Sequence, residues 1–480
     1  MLLPFTIYRR SHSTHLAVAA TSASLVGFLL VLSPGLGLAI GSLPFILWLG
    51  VTDKKNILFL FLLILPYHAS LPLTQNFMGI TGAKPFNLIA ALMLVLFFFH
   101  HGSLARNGDA IEKAAMWYFC LYLALFSAMA IRSLSYLDLL YMVSPENFHS
   151  TSINHLLSFL VRPVLFTISF IYILKLIKTE QEINRCIDMI CISVFLLSCV
   201  ILVLAATHIY TVTIDRLYMT DLIQSFFHLH SNSLGSLYIT CIPLLLLRAV
   251  KGQPFPLINY TTAGAAVLVL QSRSTIAIFF CGTILLLWFL KRWKTILFFS
   301  GIFLIFFLFW LPDFLVRTLL IGVESGDLNT VFTGRIDNIW LPLIREWFNS
   351  PNKLFFGVGL FSIFTSMAYL EKEMFQLGVA HNAFLQVFLD CGLVLFALFA
   401  GCVILLLKRA WRVTRQINTP TGWALFTCMI TYLVGTISGG DFYPSRNSVY
   451  LFAVIALLIN YFRLYLSPAQ SSEDAFPNGD

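Results

Sequence analysis

Between Leu16 and Leu466 apolar runs follow one another with mostly short polar breaks. They lie near residues 16–33, 35–51, 56–71, 85–100, 114–131, 155–175, 186–208, 231–248, 258–271, 275–290, 295–312, 384–407, 422–440 and 448–466. A helix crosses the hydrocarbon core with about 20 mostly apolar residues, and lipid offers no water to an open backbone. The runs therefore predict an all-α fold, a polytopic transmembrane bundle of 12–14 helices forming one membrane domain over residues 1–466. The range reflects several short runs. A β-barrel needs short alternating segments instead. Composition agrees: 59 % of the 480 residues are hydrophobic, 46 are Phe and only 11 % are charged, which is too apolar for a soluble domain of this size.

The polar breaks predict an orientation. With the N-terminus inside, inner segments such as Lys54–Lys55, Lys175 with Lys178, "KRWK" (291–294) and "KRAWRVTR" (408–415) hold 19 of the 30 Lys and Arg. Outer segments hold 10, and Arg162 falls inside a pass. This bias puts both termini, including the polar tail 467–480, in the cytoplasm. It also accounts for the +8 net charge without nucleic acid, since no basic cluster with interleaved aromatics lies outside those loops. The nine Cys sit within or at the edge of apolar runs, so neither disulfides nor a Cys metal site is expected. "MLLPFTIYRRSHSTH" followed by an apolar run resembles a signal peptide, but the run leads through "SPGLG" into a second pass, as a helical hairpin would.

One outer segment differs from the rest. Residues 313–383 form a loop of about 70 residues with Trp340, Trp347 and "FFGVGLF", which predicts short helices at the outer face. There is no internal repeat.

The candidate functional residues gather on this side. Arg216 lies in "TIDRLYMTDLIQSFFHLHSNSLG", Arg273 in the tight turn of "LQSRSTIAIFFCG", Arg335 in "VFTGRIDNIWLPLI", and His381 closes the large loop. Guanidinium binds phosphate oxygens bidentately and keeps its charge, so several at one interface suit a lipid-linked phosphate or pyrophosphate. Taken singly, each Arg reads as a headgroup anchor. His381 reads either as a base or as part of a helix cap with Asn382 beside it. Arg162 and Asp390 lie inside passes, where ionisable groups are expensive. Asp390, nine residues after His381 and so about 13 Å away along a helix, is too deep to relay its proton. A buried ion pair with Arg162 is the simpler expectation. "EKE" (371–373) reads as a solvated face, and "HLH" (228–230) lacks a third ligand for zinc, so no metal is expected.

The order of these motifs resembles the O-antigen ligase and polymerase superfamily of bacterial envelope glycosyltransferases. Arg216 followed by "HSNSLG" resembles its Arg then Asn-x-Leu-Gly segment, "LQSRSTIAIFFCG" its Ser-Arg turn, and "TGRIDNIW" its Gly-Arg and Trp motif. "LFFGVGLFS", with Gly357 and Gly359, resembles its Gly-x-Gly. "HNAFLQVFLDCG" resembles the ligase pattern of His, Asn/Ser/Gln, nine residues and Gly. The resemblance covers about residues 200–410, and Leu395 stands where ligases often carry a small residue. It implies a glycan donor on undecaprenyl pyrophosphate and transfer to an acceptor hydroxyl at the periplasmic face, without nucleotide sugar, metal or other cofactor. His381 is then the base, Arg216, Arg273 and Arg335 hold phosphate, and Asn382, Gly357, Gly359, Asp390 and Arg162 support them. O-antigen ligase onto lipid A–core is the leading expectation. A polymerase using a second lipid-linked glycan as acceptor is its sibling, and a protein O-glycan transferase a third form. A transporter or lipid-glycan flippase is the alternative of another class, disfavoured by polar residues gathered on one face and by the lack of a repeat.

The orientation is checked by cysteine accessibility in a cysteine-free background. Cysteines placed at 325 or 372 should react with an impermeant thiol reagent from the periplasm, and those at 293 or 412 should not. The reverse pattern would invert the topology.

Overall fold

The computed structural model describes residues 53–67, 85–98, 110–145, 148–208, 216–227, 231–250, 254–297, 301, 329, 334–439, 442–443 and 446–466. The passes expected over 16–33 and 35–51, nearly all of 295–312, the first part of the large loop and the tail 467–480 lie outside the described residues.

The described chain is all helical. In order it forms α1 (Lys54–Ile64), α2 (Pro85–Phe98), α3 (Ala110–Arg132), α4 (Leu137–Val143), α5 (Ser152–Leu176) and α6 (Glu180–Thr207). Then come α7 (Arg216–Phe227), α8 (Ser231–Ala249), α9 (Pro254–Val269) and α10 (Arg273–Phe289). The large loop carries α11 (Leu341–Phe348), α12 (Pro351–Phe356) and α13 (Met367–Leu370). The chain closes with α14 (Ala383–Ile417), α15 (Pro420–Ser438) and α16 (Arg446–Leu466). Seven of these stretches are long and apolar enough to cross a membrane, and three more apolar helices, Phe86–Phe97, Phe255–Val269 and Arg273–Phe289, are shorter. The protein is a multi-pass helical membrane protein. The run at 56–71 does not make a full pass within the described residues: α1 stops at Ile64 and tightens into a 3-10 turn, Leu65–Tyr67, around Pro66.

The centre of the bundle is α8 and α16, with about four-fifths of their spanning windows buried. Both are apolar all round, as a helix enclosed by others must be. α8, α10 and α15 approach one another through small residues. A Cβ on Gly235 of α8 would fall 2.1 Å from Thr275 Oγ1 of α10. One on Gly282 of α10 would fall 2.7 Å from Thr431 Cγ2 of α15, and one on Gly435 of α15 3.3 Å from Ile239 Cγ2 of α8. Each helix thus supplies one glycine to the next. In lipid, where burial of apolar surface gives little drive, such close backbone packing carries helix association. Elsewhere aromatic rings fill the core: Phe452 of α16 sits among Tyr122, Phe119, Phe170 and Tyr118, with centroids 4.9–5.8 Å away.

α5 has a π turn at Leu157–Val161, just before Pro163. Proline has no N–H for the carbonyl four residues back. That carbonyl, Phe159 O, accepts instead from the Tyr443 hydroxyl at 2.9 Å.

Ion pairs gather at the end of the bundle where α6 begins and α8 and α16 finish: Lys55 with Glu182, Arg248 with Asp188, and Arg463 with Glu112. The opposite end carries the large loop.

Gly282→Leu is expected to destabilise the protein by about 1–3 kcal/mol through overpacking against Thr431. Gly401→Leu, with nothing within 4 Å of its Cβ position, is the matched control. Thermal unfolding of the detergent-purified proteins checks the difference.

Candidate functional site

The large loop folds on a small core of its own, in which Ile339, Leu343, Trp347, Ile363, Ala368, Met374 and Ala380 enclose Leu389 of α14. Its base is a contact between two glycines. α14 is broken at Gly392, where φ is 76° and ψ 173°. Gly357, which ends α12, has φ 64° and ψ −164°. Both lie in a region open in practice only to glycine. A Cβ on Gly357 would meet Asp390 O at 2.4 Å, and one on Gly392 would meet Gly357 N at 2.4 Å. Each therefore excludes a side chain on the other.

The break frees carbonyls inside an apolar segment, and the loop supplies donors to them. Gly359 N–H donates to Asp390 O at 2.9 Å, and Trp347 Nε1–H to Leu389 O at 3.1 Å. On its other side the Gly-x-Gly strand is held by the end of α3. Leu360 N–H donates to Met129 O at 3.1 Å, and the Tyr136 hydroxyl donates to Leu360 O at 2.6 Å. Arg132 donates to Phe356 O at 2.5 Å. Gly359, with φ 126°, leaves no room beside Tyr136 Oη, 2.8 Å from where its Cβ would stand.

Asp390, 3 % exposed, is a loop anchor. Its Oδ1 accepts from the Ser362 hydroxyl at 2.6 Å, Ser362 N–H at 3.1 Å and Gln386 Nε2 at 3.0 Å. The expected ion pair with Arg162 is absent from the ion pairs among the described residues. Arg162 instead directly follows the π turn of α5, whose Phe159 O is bonded by the Tyr443 hydroxyl. The partners of Asp390 come from its own helix and from the loop, because those groups already lie beside the break.

His381 stands immediately before α14 in the left-handed region, φ 53°. Asn382 is the N-cap, its Oδ1 accepting from Phe384 N–H and Leu385 N–H at 3.1 Å each. Such a cap satisfies amides that the first turn leaves open. Gln386 links both ends of this half-helix: its Oε1 accepts from Ala380 N–H at 3.0 Å while its Nε2 reaches Asp390.

Arg335 opens a π turn, Ile336–Trp340, that again precedes a proline, Pro342. The carbonyl freed by Pro342, Asn338 O, accepts from Phe375 N–H at 2.9 Å. Trp340 Nε1–H donates to Ala380 O at 2.7 Å. Residues 335–340 are therefore sewn to 375–380, and Arg335 lies about one turn from the tryptophan bonded next to His381.

Arg273 begins α10 and reaches the same place from another direction. The α14–α15 hairpin puts Ala383 and Ser438 at one end of the bundle, and Gly282 against Thr431 fixes α10 alongside with Arg273 at that end. Arg273 and Arg335 are close enough to act on each other's charge. Burial first, then the Arg273 cation, pushes the Arg335 guanidinium below its ordinary range. Guanidinium remains charged at neutral pH, so two interacting cations lie at this end of the bundle. Arg216 opens α7, which packs at the head of α8 through Thr220 and Ser231. Its side chain lies outside the described residues.

Sequence reasoning passed over Gln271, two residues before Arg273. It adopts φ 54°, is 7 % exposed, and its Oε1 has no hydrogen-bond partner among the described residues. It also passed over Gln386, although a Gln four residues before Asp390 on one helix face was a usable signal. No group of three His, Cys, Asp or Glu among the described residues could hold a metal ion.

Compared with models of protein families the sequence matches none, and it matches no curated protein either.

Asp390→Ala is expected to cost about 1–3 kcal/mol, because it strands the buried Ser362 N–H. Asp390→Asn retains an acceptor at Oδ1 and should keep most of the folded protein. Yield of monodisperse protein and its melting temperature separate the two.

Proposed function

We propose that the protein is a glycosyltransferase of the O-antigen ligase and polymerase type, moving a glycan from undecaprenyl pyrophosphate to an acceptor hydroxyl at the periplasmic face of the inner membrane. The observation that carries this reading is the placing of Arg273, at the start of a bundle helix, at the same end of the bundle as Arg335 of the large loop, near enough for their charges to interact. Two guanidiniums at one end of a membrane bundle suit a pyrophosphate whose lipid tail fixes it at headgroup depth. As the glycosidic bond breaks, negative charge grows on the leaving pyrophosphate, and cations already in place stabilise it. Arg216 is the third member of this clamp.

His381 takes the proton of the attacking hydroxyl. Its position before Asn382 is set by the Trp340–Ala380 bond and by the Gln386 bridge, so the base is held by both loop and helix. Gln271 supplies an acceptor for a donor-sugar hydroxyl. Gly357, Gly359 and Asp390 hold the loop over the site, and Arg162 supports α5. Lipid A–core is the leading acceptor, with a second lipid-linked glycan as the polymerase alternative.

The flippase reading draws on one observation, the break in α14, since transporters use discontinuous helices. That break is occupied by Gly357, Gly359 and Trp347. A filled break favours a fixed scaffold over a moving gate.

Purified protein in liposomes, given a polyprenyl-pyrophosphate glycan and each acceptor, tests the reading. Glycan on lipid A–core means ligase, and longer lipid-linked chains mean polymerase. Donor that crosses the bilayer without transfer would overturn the assignment. Arg335→Lys should lower the transfer rate by about tenfold or more, since a point charge loses one charge-assisted hydrogen bond of the fork. His381→Ala should abolish transfer while leaving donor binding. Full activity in His381→Ala would reduce His381 to part of the helix cap.

A further inference from the structure

A second polar feature lies at the other end of the bundle. Between α6, α8 and α9 there is a cleft of about 770 Å³ lined by Asn184, Asp188, Ile192, Arg248, Phe255 and Asn259, among others. On α8, Arg248 is 13 residues beyond Gly235, which packs beside the start of α10. That places it about 20 Å from the Arg273 end. The cleft is thus separate from the proposed transfer site.

Its chemistry divides into three parts. Arg248 and Asp188 form an ion pair of 2.8 Å at the mouth, and the Asp188 side chain is half exposed. Deeper in, Asn259 is 2 % exposed. Its Nδ2 donates to Cys191 O at 2.8 Å, while its Oδ1 has no partner among the described residues. Arg248 donates through one terminal nitrogen to Asn184 O at 3.0 Å, and its buried Nε–H likewise has no partner there. The cleft is thus bordered by one buried unpartnered donor on a cation, one buried unpartnered acceptor and one carboxylate. Its remaining wall is apolar, with Ile192, Leu245 and Phe255.

The surroundings select the occupant. The outer faces of α6 and α9 beside the cleft expose Leu196, Phe255, Leu257 and Ile258 at 44–53 %. In a multi-pass membrane protein such a face meets hydrocarbon, so the cleft opens towards lipid. Its ion pair lies near the end of α8 and within the first third of α6, towards the headgroup end of the bundle. A purely anionic headgroup suits a basic pocket, but Asp188 repels it. A quaternary ammonium offers no proton to Asn259 Oδ1. A primary ammonium offers three.

We propose that this cleft binds one phospholipid with an ethanolamine headgroup. The phosphate accepts from Arg248 Nε, the ammonium donates to Asp188 and Asn259 Oδ1, and an acyl chain runs along Ile192, Leu245 and Phe255. The occupant satisfies both buried polar atoms and fills the gap between α6 and α9.

The test uses the full chain, purified in detergent and stripped of lipid, with binding read by native mass spectrometry and by melting temperature. Phosphatidylethanolamine, phosphatidylcholine and phosphatidylglycerol of the same acyl chains are compared. The ethanolamine lipid should bind about tenfold more tightly than either of the others, the difference made by one charge-assisted hydrogen bond. Asp188→Asn should erase the preference over phosphatidylglycerol. Ile192→Trp, which fills the cleft, should erase all three differences. Equal binding of the three lipids by the unmodified protein overturns the proposal, as does a preference for phosphatidylglycerol. Retention of the ethanolamine preference in a folded Ile192→Trp protein overturns it too. The comparison on the unmodified chain decides the matter even if a variant fails to fold.

Discussion

The contact between Gly357 and Gly392 is the constraint on which the loop end of the molecule depends. It joins a break in a membrane helix to a turn in a loop 35 residues earlier. Neither backbone conformation is open to other residues, and each glycine occupies the space that a side chain on the other would need. The break divides α14 into a short outer half, from Ala383 to the break, and a long inner half. The short half carries Asn382, Gln386 and Asp390 along one face, and all three bond to the loop or to the helix's own start. His381 is thereby fixed to a rigid piece of helix rather than to a loop end.

One rule recurs through the structure. In lipid or in a buried loop a carbonyl that loses its helical partner must find another donor. Phe159 O, opposite Pro163, receives the Tyr443 hydroxyl; Asn338 O, opposite Pro342, receives Phe375 N–H. Leu389 O and Asp390 O, at the break, receive Trp347 and Gly359. Every such repair joins two distant parts of the chain. Thus the glycine break holds the loop to the bundle, the Pro163 repair ties α5 to the segment before α16, and the Pro342 repair closes the loop on itself.

This pattern explains what the sequence discloses and what it withholds. Helices follow from runs of apolar residues, because a 20-residue period of hydrophobicity is a local property, and eleven of the expected runs fall on described helices. Where Pro66 interrupts, the run and the helix part company. The position of the cap at Asn382 is likewise local. The partners of Asp390 are not: Ser362 lies 28 residues away, and only the folded loop brings it near. A charge-based search looked for Arg162, the other ionisable residue within a pass, and overlooked neutral donors. Arg273 and Arg335 stand 62 residues apart, and their proximity follows from packing that no local pattern records.

Cations lie at both ends of the bundle. At one end Lys55, Arg248 and Arg463 are each set against a carboxylate on a neighbouring helix. These pairs bridge helices. At the other end Arg273 and Arg335 are brought within range of each other, so their fields add. Partial burial then strengthens that field by removing water. A divalent or trivalent phosphate placed there gains from both cations, whereas a neutral solute gains nothing. If the Gly357–Gly392 contact loosened, Trp340 and the 375–380 segment would shift with the loop. Arg335 would leave Arg273, and the summed field would fall although no charge had been removed. The placing of Arg335 and the anchoring of the loop are therefore one property of this fold.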